Sequence, residues 1–117
     1  MKQQHLFVYG TLKKGGKNAH LLERIGGTWR AASVKGKLYP QGVSGTEGYP
    51  ALILDEAQKS VQGLVFSSST FSRWWALLDA YEGEGYKRVT TKVKLKTGTS
   101  VDAFIYVPVD ETANERT

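Results

Sequence analysis

Ser69-Thr70-Phe71-Ser72-Arg73-Trp74-Trp75-Ala76-Leu77-Leu78-Asp79-Ala80-Tyr81-Glu82-Gly83 is the stretch on which the fold turns. Phe71, Trp74, Trp75 and Leu78 follow i, i+3, i+4, i+7 spacing, the signature of one apolar helical face. The spacing predicts a helix over Ser69–Tyr81, capped by Ser69 or Thr70 and ended by Gly83. At about 100° per residue, with Phe71 at zero, Trp75 falls near +40°, Leu78 near −20° and Glu82 near +20°. A helix that reaches Glu82 therefore aims this carboxylate into the apolar face, while Glu84 turns to roughly the other side. Desolvation raises a carboxyl pKa, and the partial negative charge of a helix C-terminus acts the same way. Such a group is a poor structural ion and a better proton acceptor. The competing reading places Glu82 past a fraying end, in solvent or paired with Lys87 or Arg88, the commoner fate of a glutamate before glycine.

Strands flank this helix on both sides. Gln4–Tyr9 is a short apolar run closed by Gly10 and reads as a buried strand. Thr11–Asn18, with Gly15, Gly16 and three lysines, reads as a loop. Asn18 is placed to cap a short helix, Ala19–Ile25, which Gly26-Gly27 ends. Thr28–Tyr39 contains extended, alternating stretches, and Pro40–Gly48 is a glycine-bearing surface loop. Tyr49–Leu54 and Val61–Phe66 read as two strands joined by a polar turn. Lys87–Lys96 and Ser100–Val107 read as a hairpin around Thr97-Gly98-Thr99. Val89, Thr91, Val93 and Leu95 share one face of its first strand, opposite Lys92, Lys94 and Lys96. Many strands, one good helix and one short one imply an α+β fold: a curved mixed sheet or small β-barrel with the main helix packed alongside.

The chain has 117 residues and a formal charge of +5. That length suits one domain, expected over residues 1–109, with a polar tail at 110–117. The lack of cysteine excludes a thiol nucleophile, a disulfide scaffold and thiolate metal sites; two histidines, His5 and His20, make an imidazole-rich metal site a poor expectation. No run approaches the roughly 18 apolar residues of a membrane span, and the N-terminus lacks a signal-peptide core, so an intracellular, cytoplasmic protein without a membrane partner is expected. The basic balance suits an anionic partner, large or small. Nucleic-acid binding through Lys92, Lys94, Lys96 and Lys13-Lys14-Lys17 is the weaker option, because no RNA-binding aromatic motif accompanies these lysines.

Val8-Tyr9-Gly10-Thr11-Leu12-Lys13-Lys14-Gly15-Gly16-Lys17 turns sharply off the first strand, and consecutive N–H groups in such a turn can form a nest for an anion. A nucleotide P-loop does not fit, since Gly16 stands where lysine is required and Asn18 replaces the Ser/Thr. Gly83-Glu84-Gly85 lacks the third glycine and the preceding strand of a dinucleotide fingerprint. There is no G-x-S-x-G elbow for a serine hydrolase. An ordinary strand-to-loop turn with solvated lysines stays open beside the anion nest.

The segment Val8–Gly15, followed by Asn18 and Leu21-Leu22, resembles the opening of the gamma-glutamylcyclotransferase-like superfamily, nearest its gamma-glutamylamine cyclotransferase branch. The similarity continues through Gly36-Lys37-Leu38-Tyr39, Gly48-Tyr49-Pro50-Ala51-Leu52 and Val61–Phe66. It ends in Leu78–Gly83 with Tyr86 and Arg88, which is similar to the family's catalytic segment. The resemblance implies a small mixed barrel with a pocket between the first loop and the helix end. It implies that Tyr9, Gly10, Thr11 and Leu12 hold the substrate's glutamyl part, largely through backbone groups, and that Glu82 is the general acid/base. The implied reaction is attack of a γ-glutamyl group's α-amine on its own γ-carbonyl, releasing 5-oxoproline and an amine or amino acid. No cofactor or metal is expected. Tyr86 is a candidate pocket or substrate-binding residue, or else a half-buried strand tyrosine. Arg88 is expected to pair with Asp79 or Glu84, or to meet a substrate carboxylate. A non-catalytic module that binds a small acid in the same pocket is the alternative.

Overall fold

The structure is a computed structural model and describes residues 3–9 and 20–109. Its elements are β1 (Gln4–Val8), α1 (His20–Ile25), β2 (Thr28–Tyr39), β3 (Ala51–Leu54), β4 (Ser60–Ser68), a 3-10 turn (Phe71–Arg73), α2 (Trp75–Glu82), β5 (Tyr86–Leu95) and β6 (Ser100–Pro108). The continuous apolar run of β1 has a structural cause, because the strand is covered on both faces. Phe7 points into the barrel core with Val65, Val93 and Ile105, while Leu6 and Val8 face Leu22, Phe71 and Leu78 on the outside. A strand buried on both sides has no position for a polar alternation.

The strand order is β3-β2-β4-β1-β6-β5, and β5 returns to β2 at Ala32↔Leu95 and Ser33↔Lys94. Five strands thus close into a barrel, with β3 as an extra strand on β2. The β1–β6 pair is parallel and the other pairs are antiparallel, so the barrel is mixed. This is the expected α+β class. The strands expected over Tyr49–Leu54 and Val61–Phe66 are β3 and β4, yet they do not pair with each other. Both pair with β2, through Gly36↔Leu54 and Lys35↔Ser60. β2 is twelve residues long, and its backbone groups alternate between its two edges, so it serves both neighbours. The β5–β6 hairpin has the expected faces: Val93 and Leu95 are buried, while Lys92, Lys94 and Lys96 are exposed.

The second core joins the barrel's outer wall to the helices. Phe71 stacks on Trp75 with ring centroids 4.4 Å apart and meets Phe66 edge-on at 5.7 Å. Phe71 and Leu78 are fully buried, each contributing about 1.5–3 kcal/mol of apolar transfer energy. The helix differs from expectation at both ends. Its first turn is 3-10, Trp74 separates that turn from α2, and α2 runs through Glu82. Thr70 makes no side-chain cap; its hydroxyl donates to the Ile25 carbonyl at 3.2 Å, tying the turn to the end of α1. The 40–48 segment is a loop as expected, but it buries Val43 and Thr46. Residues 110–117, where a polar tail is expected, and Asn18, the expected cap of α1, lie outside the described residues.

Candidate active site

Glu82 is the last residue of α2. Gly83 follows at φ 85°, in the left-handed region that suits glycine, and its N–H reaches the Asp79 carbonyl at 3.1 Å. The helix therefore stops where its apolar face still points at the barrel, and Glu82 stays on that face. The following turn is held from two sides. The Val109 N–H donates to the Gly85 carbonyl at 2.9 Å, and a Cβ on Gly85 would lie 2.3 Å from the Gly45 carbonyl oxygen. The 40–48 loop thus abuts the end of the helix, and only a glycine allows that approach.

Three tyrosines at three strand ends feel the Glu82 charge: Tyr9 after β1, Tyr86 at the start of β5 and Tyr106 near the end of β6. The titration of each is opposed by the Glu82 charge. Each hydroxyl proton is directed elsewhere. Tyr9 Oη donates to the Tyr106 carbonyl at 2.7 Å and accepts from the Leu52 N–H at 3.2 Å. Tyr86 Oη donates to the Pro50 carbonyl. Tyr106 Oη donates to Asp79 Oδ1 at 2.6 Å. Among the described residues, none donates a hydrogen bond to Glu82. Burial raises its pKa from 4.5 to about 7. Burial first, and then the Glu82 charge, pushes the Tyr86 phenol up to about 12. Burial also pushes the Tyr9 and Tyr106 phenols well above their ordinary value. At neutral pH the carboxyl thus lies between its two protonation states, and the phenols that feel its charge are neutral.

Asp79, one turn earlier, is bound differently. Arg88 Nε and Nη2 reach its two oxygens at 2.9 and 3.2 Å, and the guanidinium lies 4.3 Å over the Trp75 ring and 4.9 Å over Phe104. Burial pushes the Asp79 carboxyl up, but hydrogen bonds from Arg88 and Tyr106 and the Arg88 charge outweigh it and hold the group below its usual value. Of the pairings expected for Arg88, the structure has the one with Asp79.

The structure brings Tyr9, Tyr86 and Glu82 together. Gly10, Thr11 and Leu12, the other candidate substrate-binding residues, lie outside the described residues, and so does the opposite wall of the expected pocket. A groove of about 330 Å³ opens elsewhere, between β2, β3 and β5, lined by Lys35, Leu54, Thr91 and Lys92 among others. Neither Glu82 nor Tyr9 lines it. Tyr106 was not a sequence candidate; its signal is a tyrosine within the otherwise apolar run 103–108 of β6, whose hydroxyl must find a partner. His5 Nδ1 lies 2.6 Å from Ser67 Oγ, but Ser67 is 1% exposed and out of a substrate's reach. Among the described residues, no helix is long and apolar enough to cross a membrane, and no group of His, Asp and Glu is arranged to hold a metal ion.

The family model described as gamma-glutamyl cyclotransferase, AIG2-like, matches residues 6–117. Among solved structures, YkqA from Bacillus subtilis is 28% identical with a TM-score of 0.71; the match covers 92% of this chain and 36% of that one, so the chain spans about a third of that protein's length. An aig2-like protein from Mus musculus is 25% identical with a TM-score of 0.66, over 93% of this chain and 79% of that one. A structure named gamma-glutamyl cyclotransferase is similar in fold, with a TM-score of 0.71 at 16% identity, over 92% of this chain and 68% of that one. A search of curated protein sequences finds no match.

Proposed function

We propose that this chain, which belongs to the gamma-glutamyl cyclotransferase, AIG2-like family, is a 5-oxoproline-forming lyase with Glu82 as its general acid/base. The observation that carries the reading is a half-buried glutamate at a helix end, its pKa raised by burial, whose charge is felt by three tyrosines that donate their hydroxyl protons elsewhere. The α-ammonium of a γ-glutamyl compound loses a proton to Glu82. Its nitrogen then attacks the γ-carbonyl carbon and closes a five-membered lactam. The bond from that carbon to the leaving nitrogen breaks as the proton held by Glu82 passes to that nitrogen; the ring nitrogen gives its second proton to the freed Glu82 carboxylate, which hands it on to the released amine. An α-ammonium titrates near 8, so an ordinary glutamate would face a mismatch of about 5 kcal/mol. A glutamate at about 7 faces only about 1–2 kcal/mol. Ring closure within one substrate needs little beyond holding it folded on itself.

In this reading the backbone of Tyr9-Gly10-Thr11-Leu12 takes the glutamyl part, and the backbone N–H groups there hold the α-carboxylate or the developing oxyanion. Tyr86 contributes as wall. The proposed partner is a small γ-glutamyl molecule, and the finer reading is a γ-glutamylamine. The 1–109 segment acts as the single domain, in the cytoplasm. The test is 5-oxoproline release from a panel of γ-glutamyl amines, γ-glutamyl amino acids and glutathione. Turnover of at least one compound is expected. Saturable binding without turnover would replace the enzyme with a binding module, and neither binding nor turnover would overturn both.

A further inference from the structure

The extra strand β3 is paired along one edge. It runs against β2 from Gly36↔Leu54 to Tyr39↔Ala51. The Asp55 N–H donates to the Lys35 carbonyl at 3.0 Å, so by alternation Ala51, Ile53 and Asp55 turn their main-chain groups toward β2. Pro50, Leu52 and Leu54 turn theirs to the other edge, where no strand pairs with β3 among the described residues.

Two phenols hold that edge instead. Tyr9 Oη accepts from the Leu52 N–H at 3.2 Å and donates to the Tyr106 carbonyl of β6 at 2.7 Å. Tyr86 Oη donates to the Pro50 carbonyl. Leu52 is fully buried, and a buried main-chain N–H requires a partner. A phenol has one proton to donate. Both of these protons go to main-chain carbonyls, so neither hydroxyl has one left for a substrate. A further contact holds the loop that leads into β3: Gly85, just past the end of α2, abuts the Gly45 carbonyl. Pro50–Leu52 is thus fastened to the two strand-end tyrosines that feel the Glu82 charge.

We propose that Tyr9 and Tyr86 are positioning residues: their hydroxyls stand in for the missing ladder along β3 and hold Pro50–Leu52 as a wall of the space beside Glu82. The inference rests on the reading of Glu82 as general acid/base. The two tyrosines place main chain, and the substrate meets the wall that they hold. Such a wall touches bound substrate and transition state alike, so loosening it weakens binding and leaves the chemical step unchanged.

The first measurement is amide hydrogen exchange in the full chain, which needs no substrate. Tyr9→Phe keeps the ring and removes both hydrogen bonds. The Leu52 amide is expected to exchange about ten-fold faster or more, while the Ile53 amide, which faces β2, changes by less than about two-fold. The second is steady-state kinetics on a γ-glutamyl compound that the wild-type chain turns over. In Tyr9→Phe and Tyr86→Phe, KM is expected to rise about five-fold or more, with kcat within about two-fold of wild type. Loss of folded protein alone would lower kcat and leave KM, and that pattern overturns the proposal, as does an unchanged KM. An unchanged Leu52 amide in Tyr9→Phe also overturns it, while the catalytic reading stands. If the wild-type chain turns over none of the compounds, the catalytic reading fails and the placing of substrate falls with it. Should Tyr9→Phe not fold, Tyr86→Phe decides the matter by its KM.

Discussion

The two flanks of α2 treat the same functional group in opposite ways. At Asp79, Arg88 and Tyr106 satisfy both oxygens and hold the carboxylate ionised. At Glu82, three residues away, Tyr9, Tyr86 and Tyr106 donate their protons to other acceptors, and burial raises the pKa to about 7. A carboxylate becomes a structural ion or a proton acceptor according to whether donors are turned toward it or away from it.

Glu82→Gln is the sharpest way to break this contrast. It keeps shape and removes the base, so 5-oxoproline formation is expected to fall by about 10²–10⁴-fold with the circular dichroism spectrum unchanged. The next largest effect is on packing. Leu78→Ala removes a fully buried anchor and is expected to cost about 2–5 kcal/mol in denaturant melts. Leu77→Ala, at an adjacent side chain 51% exposed, is expected to stay within about 0.5 kcal/mol.

Stability against pH separates the two carboxylates by sign. The folded pKa of Glu82 lies above its unfolded 4.5, so its contribution is present below that value and is lost as pH rises from there through about 7, by up to roughly 3 kcal/mol. Glu82→Gln is therefore expected to raise the melting temperature relative to wild type more at pH 8 than at pH 5. The folded pKa of Asp79 is lowered, so its contribution is present above the unfolded 3.8 and is lost as pH falls through the folded value. Asp79→Asn should accordingly lose its effect on the melting temperature in acid.

The smallest effect concerns His5. Burial and the Arg30 charge lower its pKa below 6.5, so the neutral form is favoured in the folded state. Its contribution is present above 6.5 and is lost as pH falls through the folded value. His5→Gln should flatten the melting-temperature profile slightly below pH 6.5 and leave it unchanged at pH 8.

Periodicity alone placed Phe71, Trp75 and Leu78 on one face, set Val93 and Leu95 opposite Lys92 and Lys94, and put Glu82 within reach of the apolar stripe. These are local patterns, in which each residue's neighbours along the chain fix its direction. The barrel closure at Ser33↔Lys94, the placing of β3 and β4 on opposite edges of β2, and the hydrogen bonds of Tyr9 to Tyr106 and Leu52 and of Tyr106 to Asp79 join residues far apart in sequence. No local period encodes such meetings. The direction of a phenol proton depends on which carbonyl or carboxylate the fold carries to it. The sequence therefore singles out Glu82 as an acid on an apolar face, whereas its raised pKa comes from the burial that the tertiary structure imposes.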